Sequence, residues 1–389
     1  MSKKQIAISC FLFALFIVSI CAARYDFDFS TFVAAPQSLV KCVPEKFKHI
    51  KHFKQGGSDG AYNYLAALDP LLRTHKALPA CAKDSLSYTK ERFLYHFLSW
   101  AIVFGQEAYV HYGLLTVNLL ALLVCTFYSY RISELFQLSR YILVILILNP
   151  GIWQPLRFNL VDLVWDACAI ACIYYYETKN KTKFSIALLG AFLVRSFSIG
   201  LVFAFVVGDL LAGKRQFKDY RHYLVPLGLY YGVFKYWQKL HATTSSTLFN
   251  GESYFELPFK QFYIEFMGFL HSGLNLNAFL ALSGLLLLIS MALIAVLVVL
   301  KTKKMHYEVI LILGFTTPVL MLNNVAWSNA ILQISRISVP TFFCLILLLK
   351  KQAQSYLRVV IPILYLVSFY GIVWIIFNPQ QTLTFWITK

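Results

Sequence analysis

The sequence predicts an all-α integral membrane protein, a single domain over residues 1–389 that crosses the bilayer about eleven times. Two observations lead to this prediction. Of the 389 residues, 59% are hydrophobic, and the mean hydropathy of +0.63 is far above that of a soluble domain of this length. The apolar residues also form long runs, and the charged residues sit in short clusters between these runs.

Apolar stretches that suit bilayer-crossing helices follow one another along the chain. Their predicted bounds are 5–22, 109–130, 141–155, 160–176, 183–197, 199–212, 223–237, 276–300, 307–323, 330–349 and 359–377. The first run follows Lys3 and Lys4, so it is either a cleaved signal peptide or, as we favour, an uncleaved anchor. Residues 93–105 are too short for a further span, and 85–105 is predicted as a juxtamembrane or half-inserted helix.

The formal charge of +17 reports membrane topology, and no nucleic-acid partner is expected, because the basic residues lie in short loops between spans. The net basic loops, expected in the cytoplasm, are 131–140, 177–183, 213–222, 301–306 and 350–358. Residues 23–92 and 238–275 then form the first and second non-cytoplasmic loops. Cys42 and Cys81 share the first loop and are candidates for a disulfide if it faces an oxidising compartment.

Two predicted spans are interrupted. Asn149-Pro150-Gly151 breaks the helix at 141–155, and Arg195-Ser196-Phe197-Ser198 divides 183–212 into two short helices joined by a polar elbow. Irregular or charged segments at membrane depth usually line a cavity. These breaks therefore predict polar sites within the helical bundle.

Asp59 is the candidate for acid–base chemistry. It lies in the glycine-rich segment 56–60 and is followed by Tyr62 and Tyr64, a composition that suits a sugar or a lipid headgroup. The alternative is a solvated loop aspartate that shapes a glycine turn.

Other charged residues have both a functional and a structural interpretation. Asp26 and Asp28 would hold a divalent cation or simply polarise a helix end. Asp162 lies near Arg157 and contributes either to substrate binding or to a structural Arg157–Asp162 pair. Arg195, like Arg336, would bind a lipid phosphate or pair with a buried aspartate.

Three segments carry a resemblance to a known family: Ser-Asp-Gly-Ala-Tyr-Asn-Tyr-Leu-Ala-Ala-Leu-Asp-Pro at 58–70, Tyr-Thr-Lys-Glu-Arg-Phe-Leu-Tyr-His-Phe-Leu-Ser-Trp at 88–100, and Val-Asn-Leu-Leu at 117–120. They resemble bacterial GT-C-type membrane glycosyltransferases, and more distantly the GPI mannosyltransferases. The sequence departs from the pattern at His96, where proline is common, and at Ser196, where glutamate often follows the arginine.

The resemblance implies an inverting enzyme that transfers a sugar from a polyprenyl-phosphate donor to a glycan, lipid or protein acceptor, with membrane lipids around it. It implies Asp59 as the catalytic residue, in a multi-pass protein of the bacterial inner membrane whose site faces the periplasm or exterior. The substrate-binding residues expected are Tyr62, Tyr64, Arg92, Arg157, Asp162, Arg195 and Arg336. A divalent cation is a possible cofactor. A transporter, a flippase or a polymerase of lipid-linked saccharides is the alternative.

Overall fold

The computed structural model describes residues 2–53, 59–71, 79, 92–214, 216, 220–240, 263, 267, 276–320, 330–352 and 354–366. In this part the chain is mainly helical. It divides into two compact units. The first comprises Met1–Phe197, Leu224–Ser246 and Leu366–Lys389, and the second comprises Ser198–Tyr223 and Thr247–Tyr365.

Helix α1, Lys3–Ala23, opens the first unit and is part of its packed core. Ser2 caps its first turn by accepting a hydrogen bond from the backbone N–H of Gln5. One face of the helix is buried, and its Ala7 and Cys10 pack against the helix that follows residue 139. Lys3 forms an ion pair of 3.2 Å with Glu134.

The described part of the predicted first non-cytoplasmic loop folds into short elements. Their bounds are a 3₁₀ helix Phe29–Val33, strand β1 Ala35–Pro36, helix α2 Gln37–Cys42, a 3₁₀ helix Pro44–Phe47, strand β2 His52–Phe53 and helix α3 Asp59–Leu68. The strands pair in parallel, with Ala35 opposite His52. This pair of two-residue strands is a small departure from the predicted all-α fold.

The structure describes one of the two cysteines that are candidates for a disulfide. Cys42 is disulfide-bonded, whereas its proposed partner Cys81 lies outside the described residues. The cysteines of the apolar runs are free thiols. A disulfide at Cys42 is what a loop in an oxidising compartment would carry.

The rest of the first unit is a bundle of helices. Their bounds are α4 Phe93–Ile102, a 3₁₀ helix Glu107–Tyr109, α5 Val110–Leu135, α6 Arg140–Ile147, α7 Pro150–Phe158, α8 Asp162–Glu177 and α9 Lys181–Val194. Helix α5 packs against both α4 and α8, and α9 packs on α8. A Cβ built at Gly113 would collide with the carbonyl oxygen of Ser99. Glycine at this position therefore permits the close approach of α4 to α5.

Both predicted helix breaks are confirmed. Asn149 caps α7 with a 2.8 Å hydrogen bond from the N–H of Gly151, and Pro150 takes the first helical position, where a missing N–H costs nothing. At the elbow, α9 ends at Val194, and a 3₁₀ helix, Ser196–Ser198, precedes the next α-helix. Arg195 itself has an extended backbone.

The second unit is built from helices α10 Ile199–Leu211, α12 Leu276–Thr302, α13 Tyr307–Leu320, α14 Ala330–Gln352 and the terminal segment Gln354–Leu366. Helix α11, Arg221–Leu240, begins in this unit and continues into the first. Two buried carboxylates of the second unit are paired with lysines. Asp209 lies 2.6 Å from Lys214, and Glu308 lies 2.7 Å from Lys351.

Three helices of the described part are long and apolar enough to cross a membrane: Lys3–Ala23, Glu107–Leu135 and Arg140–Phe158. Shorter apolar helices accompany them, among them Phe93–Ile102 and Ser196–Leu211. These helices indicate a membrane-embedded protein. The predicted second non-cytoplasmic loop, 238–275, lies almost entirely outside the described residues.

Candidate functional site

Asp59 stands at the first turn of α3, beside the guanidinium of Arg92. Its Oδ2 lies 4.0 Å from Arg92 Nη1, and 28% of the Asp59 side chain is exposed against 5% for Arg92. A carboxylate at a helix N-terminus is favoured by the positive end of the helix dipole. The arrangement is an accessible acid supported by a buried cation. The alternative interpretation, a glycine turn, does not apply at Gly60, which lies within the helix and is not among the described glycines with positive φ; Gly56 and Gly57 lie outside the described residues.

A buried polar cluster holds Arg92 in place. We call it the Asn63 cluster: Asn63, Arg92, His96 and Asn159. The Asn63 side-chain oxygen accepts hydrogen bonds from Arg92 Nη1 at 3.4 Å and from His96 Nε2 at 3.1 Å. Its amide nitrogen donates to the carbonyl oxygen of Asn159 at 3.0 Å. One amide therefore joins α3 to α4 and to the C-terminal end of α7.

His96 is neutral in this cluster. Burial, with a smaller contribution from the charge of Arg92, lowers the pKa of His96 to about 3. Because the Asn63 oxygen can only accept, the His96 Nε2 carries the proton in this hydrogen bond. His96, which stands where the resembling family commonly has proline, thus has a defined structural task.

The two tyrosines after Asp59 have different environments. Tyr62 is half-buried, so it keeps the exposure that a substrate contact requires. Tyr64 is fully buried and packs on Phe47 with ring centroids 5.6 Å apart. The structure thus corrects the expectation for Tyr64, because a ring enclosed by the core is not available to a substrate.

Asp162 and Arg195 form a second, shorter ion pair in the same unit. Arg195 Nη2 lies 2.7 Å from Asp162 Oδ1, and the side-chain exposures are 18% for Arg195 and 1% for Asp162. This is the pairing with a buried aspartate that the sequence left open for Arg195. One turn along α8, Asp166 is fully buried, and neither of its carboxylate oxygens has a hydrogen-bond partner among the described residues.

The Arg157 side chain contacts aromatic rings and a backbone carbonyl. Its guanidinium lies over the rings of Tyr25, Phe32 and Phe158 at 5.3, 4.8 and 5.1 Å, and it donates to the carbonyl oxygen of Thr31 at 3.4 Å. It is 8% exposed. Arg157 therefore anchors the segment after α1 to α7, and the structural Arg157–Asp162 pair is replaced by these contacts.

Sequence reasoning missed the buried amides. Asn118 on α5 donates to the Tyr95 hydroxyl at 3.0 Å and to the Pro155 carbonyl at 3.1 Å. An asparagine within an apolar run is an available signal, because a polar group at membrane depth needs a partner. Asn63 and Asn159 lie outside such runs and gave no comparable signal.

Of the two expected cation ligands, Asp26 and Asp28, Asp28 is bound to other groups of the chain. Asp28 Oδ1 accepts from the N–H of Ser30 at 2.9 Å, and its Oδ2 pairs with Lys51 at 3.1 Å. Burial acts to raise the pKa of Asp28, but the bonds from Ser30 and Lys51 outweigh it and lower that pKa below its ordinary value. Asp28 thus caps a 3₁₀ helix, which is the helix-end interpretation, and Asp26 is exposed with φ of 56°.

Two further expectations concern a bound metal ion and the position of Arg336. Among the described residues, no group of three or more His, Cys, Asp or Glu is placed to hold a metal ion. Arg336 lies in α14, but its side chain is outside the described part.

The chain was also compared with protein families, with curated proteins and with solved structures, and no match was found in any of the three comparisons.

Proposed function

We propose that this protein is an inverting membrane glycosyltransferase of the GT-C type, with about eleven spans, that takes a sugar from a polyprenyl-phosphate donor on the non-cytoplasmic face. The observation that carries the proposal is the Asp59–Arg92 arrangement. A partly exposed carboxylate, 28% accessible, stands 4.0 Å from a buried guanidinium. An accessible carboxylate with a fixed cationic neighbour supports a role in orienting or deprotonating an acceptor hydroxyl.

Asp59 orients or deprotonates the acceptor hydroxyl in this proposal. The Asn63 cluster is its support, since it fixes Arg92 through a hydrogen bond to an amide that is itself bound to α7. Tyr62 lies about one helical turn after Asp59 on α3. Since Tyr64 is buried, Tyr62 is the tyrosine of this segment that would contact the sugar.

The leaving phosphate needs cationic support, because its charge develops beside hydrocarbon. Arg195 and Arg336 take this role in the proposal. Arg195 suits it because its guanidinium remains 18% exposed while the buried Asp162 fixes its position. A preorganised cation pays no reorganisation cost when the leaving group becomes charged.

The disulfide at Cys42 supports the orientation. A disulfide in the loop that carries Asp59 fits an oxidising compartment, which for a bacterial cell lies outside the inner membrane. The donor, the acceptor and Asp59 would then meet on that side.

The test is turnover of lipid-linked sugar in membranes that carry Asp59→Asn. General acid–base groups contribute typically 10²–10⁴-fold, so we expect a loss of at least about 100-fold. The matched control is Glu107→Gln, which neutralises a carboxylate that is 50% exposed and pairs with Lys46; it should keep wild-type turnover.

Full turnover in a folded Asp59→Asn protein would remove Asp59 from the mechanism. Movement of lipid-linked saccharide across sealed vesicles without any sugar transfer by the wild type would instead favour the transporter alternative.

A further inference from the structure

A second feature of the first unit is a cavity between α4, α5, α8 and α9, on the side of α4 away from the Asn63 cluster. Its volume is about 440 Å³, within the roughly 300–1,000 Å³ range of ligand sites. Small side chains line its floor, among them Ala121, Ala167, Ala171 and Gly190. Larger side chains at these positions would fill the space.

The cavity opens sideways from the bundle. Leu120, Val124 and Ile186 line it and are 51%, 39% and 67% exposed. In a membrane-embedded bundle, apolar side chains that face outward meet lipid chains. The opening is therefore of a kind that a hydrocarbon chain enters directly from the bilayer.

One end of the cavity is polar and positively charged. The Lys183 ammonium lies 5.8 Å from the centroid of the Tyr175 ring, and the Tyr175 and Tyr128 hydroxyls are 2.6 Å apart. All three residues line the cavity. Since one hydroxyl donates to the other, the accepting hydroxyl keeps its own hydrogen for a ligand oxygen.

In the part of the chain that the structure describes, Lys183 forms no ion pair with a carboxylate. Lys179, in the adjoining turn, is also exposed but does not line the cavity. A cation at the end of an apolar slot is complementary to a lipid that has one negative headgroup.

We propose that this cavity binds one hydrocarbon chain of an anionic phospholipid, with the phosphate at Lys183 and the Tyr128–Tyr175 pair. The proposal does not depend on sugar transfer. Leu94, Leu98 and Ile102 form the α4 wall of the cavity, while Tyr95, His96 and Ser99 on the opposite face are buried. A bound chain would therefore also support the helix that presents Arg92 and His96 to the candidate site.

The experiment is native mass spectrometry of the full-length, delipidated protein titrated with phosphatidylglycerol or phosphatidylethanolamine. We expect the wild type to bind phosphatidylglycerol more tightly than phosphatidylethanolamine, because only the former has a net negative headgroup. Lys183→Gln should lower the affinity for phosphatidylglycerol about fivefold. This factor corresponds to roughly 1 kcal/mol, the contribution of one basic residue at an anionic headgroup. Lys179→Gln removes the same charge from the turn before α9, at a residue that does not line the cavity, and it should bind like the wild type.

Ala187→Trp fills the cavity from its half-buried rim and should abolish binding of both lipids. Equal effects of Lys183→Gln and Lys179→Gln, or unchanged binding by Ala187→Trp, would overturn the proposal. Since Lys183 is exposed, its variant remains informative even if Ala187→Trp fails to fold. A polyprenyl phosphate that binds the wild type in preference to phosphatidylglycerol, and is lost in Ala187→Trp, would also overturn it.

Discussion

The two aspartate–arginine pairs of the first unit are opposites in burial. In Asp59–Arg92 the arginine is 5% exposed and the aspartate 28%, at 4.0 Å. In Asp162–Arg195 the aspartate is 1% exposed and the arginine 18%, at 2.7 Å. The first pair presents a carboxylate supported by a buried cation, and the second presents a guanidinium supported by a buried carboxylate.

This difference assigns different tasks to residues of the same type. A carboxylate that reaches the surface can meet a hydroxyl, whereas a guanidinium that reaches the surface can meet a phosphate. Removing the more exposed member of a pair takes away a charge that its buried partner faces in a place that water does not reach. The two pairs should therefore respond to mutation in different ways.

The largest expected effect is on the Asp162–Arg195 pair. Arg195→Met leaves Asp162 buried without this partner, one turn from Asp166, and should lower the free energy of unfolding by about 3–5 kcal/mol. Denaturant unfolding in detergent measures it. The double variant Arg195→Met with Asp162→Leu should regain most of the loss, because it removes both charges. A loss of less than about 1 kcal/mol in the single variant would place this pair among weak surface pairs.

A smaller loss is expected at the centre of the Asn63 cluster. Asn63→Leu has nearly the same volume but removes the acceptor for Arg92 and His96 and the donor to Asn159. Unsatisfied buried groups should then cost about 1–3 kcal/mol, measured in the same unfolding experiment. Activity should also fall if Arg92 loses its position beside Asp59. An unchanged denaturant unfolding curve would show that the Asn63 cluster does not stabilise the Asp59–Arg92 pair.

The pH dependence of stability tests His96. Between its ordinary pKa of 6.5 and the lowered pKa of about 3, the unfolded chain binds a proton at His96 that the folded protein does not. Stability should therefore fall as the pH drops through this window, by at most about 1.4 kcal/mol per pH unit for one group. His96→Gln keeps a donor for Asn63 and should flatten this part of the curve. An equal slope in both proteins would assign the acid sensitivity to other groups.

The smallest effect on stability belongs to Asp59→Asn. The Asp59–Arg92 distance of 4.0 Å is long for an ion pair, asparagine keeps a side-chain oxygen at this position, and Arg92 keeps its hydrogen bond to Asn63. The variant should therefore lose only about 0–1 kcal/mol and unfold almost like the wild type, while its turnover falls. A large loss of stability would remove the contrast between the two pairs and make Asp59 a structural residue.

The comparison also shows where prediction from the sequence succeeds. The break at Asn149 and the elbow at Arg195 were predictable because proline at a helix start and charge within an apolar run are local signals. The pairing of Asp162 was not predictable, since Arg157 lies close to it in sequence, whereas its partner Arg195 lies 33 residues away and is brought to it only by packing. Arg157 is taken by three aromatic rings, and the order of residues along the chain does not encode that choice.

The same limit applies to Asp59. Its glycine neighbours suggested a turn, but residues 59–68 form a helix whose buried face carries Asn63 and Tyr64. Local propensity is a weak signal where tertiary contacts supply the stabilisation. The helix owes its position to hydrogen bonds and packing with α4 and α7, which lie far along the chain.

The sequence by itself determined the membrane class, the mainly helical character and the two helix breaks, because hydropathy, length and proline act locally on the chain. The tertiary structure alone decided which arginine meets which aspartate and which member of each pair reaches the surface. It also decided that Tyr64 is enclosed and that four helices leave a cavity ending at Lys183. These features depend on contacts between residues that are distant in sequence. Burial by those contacts determines how much each charged group stabilises or destabilises the fold.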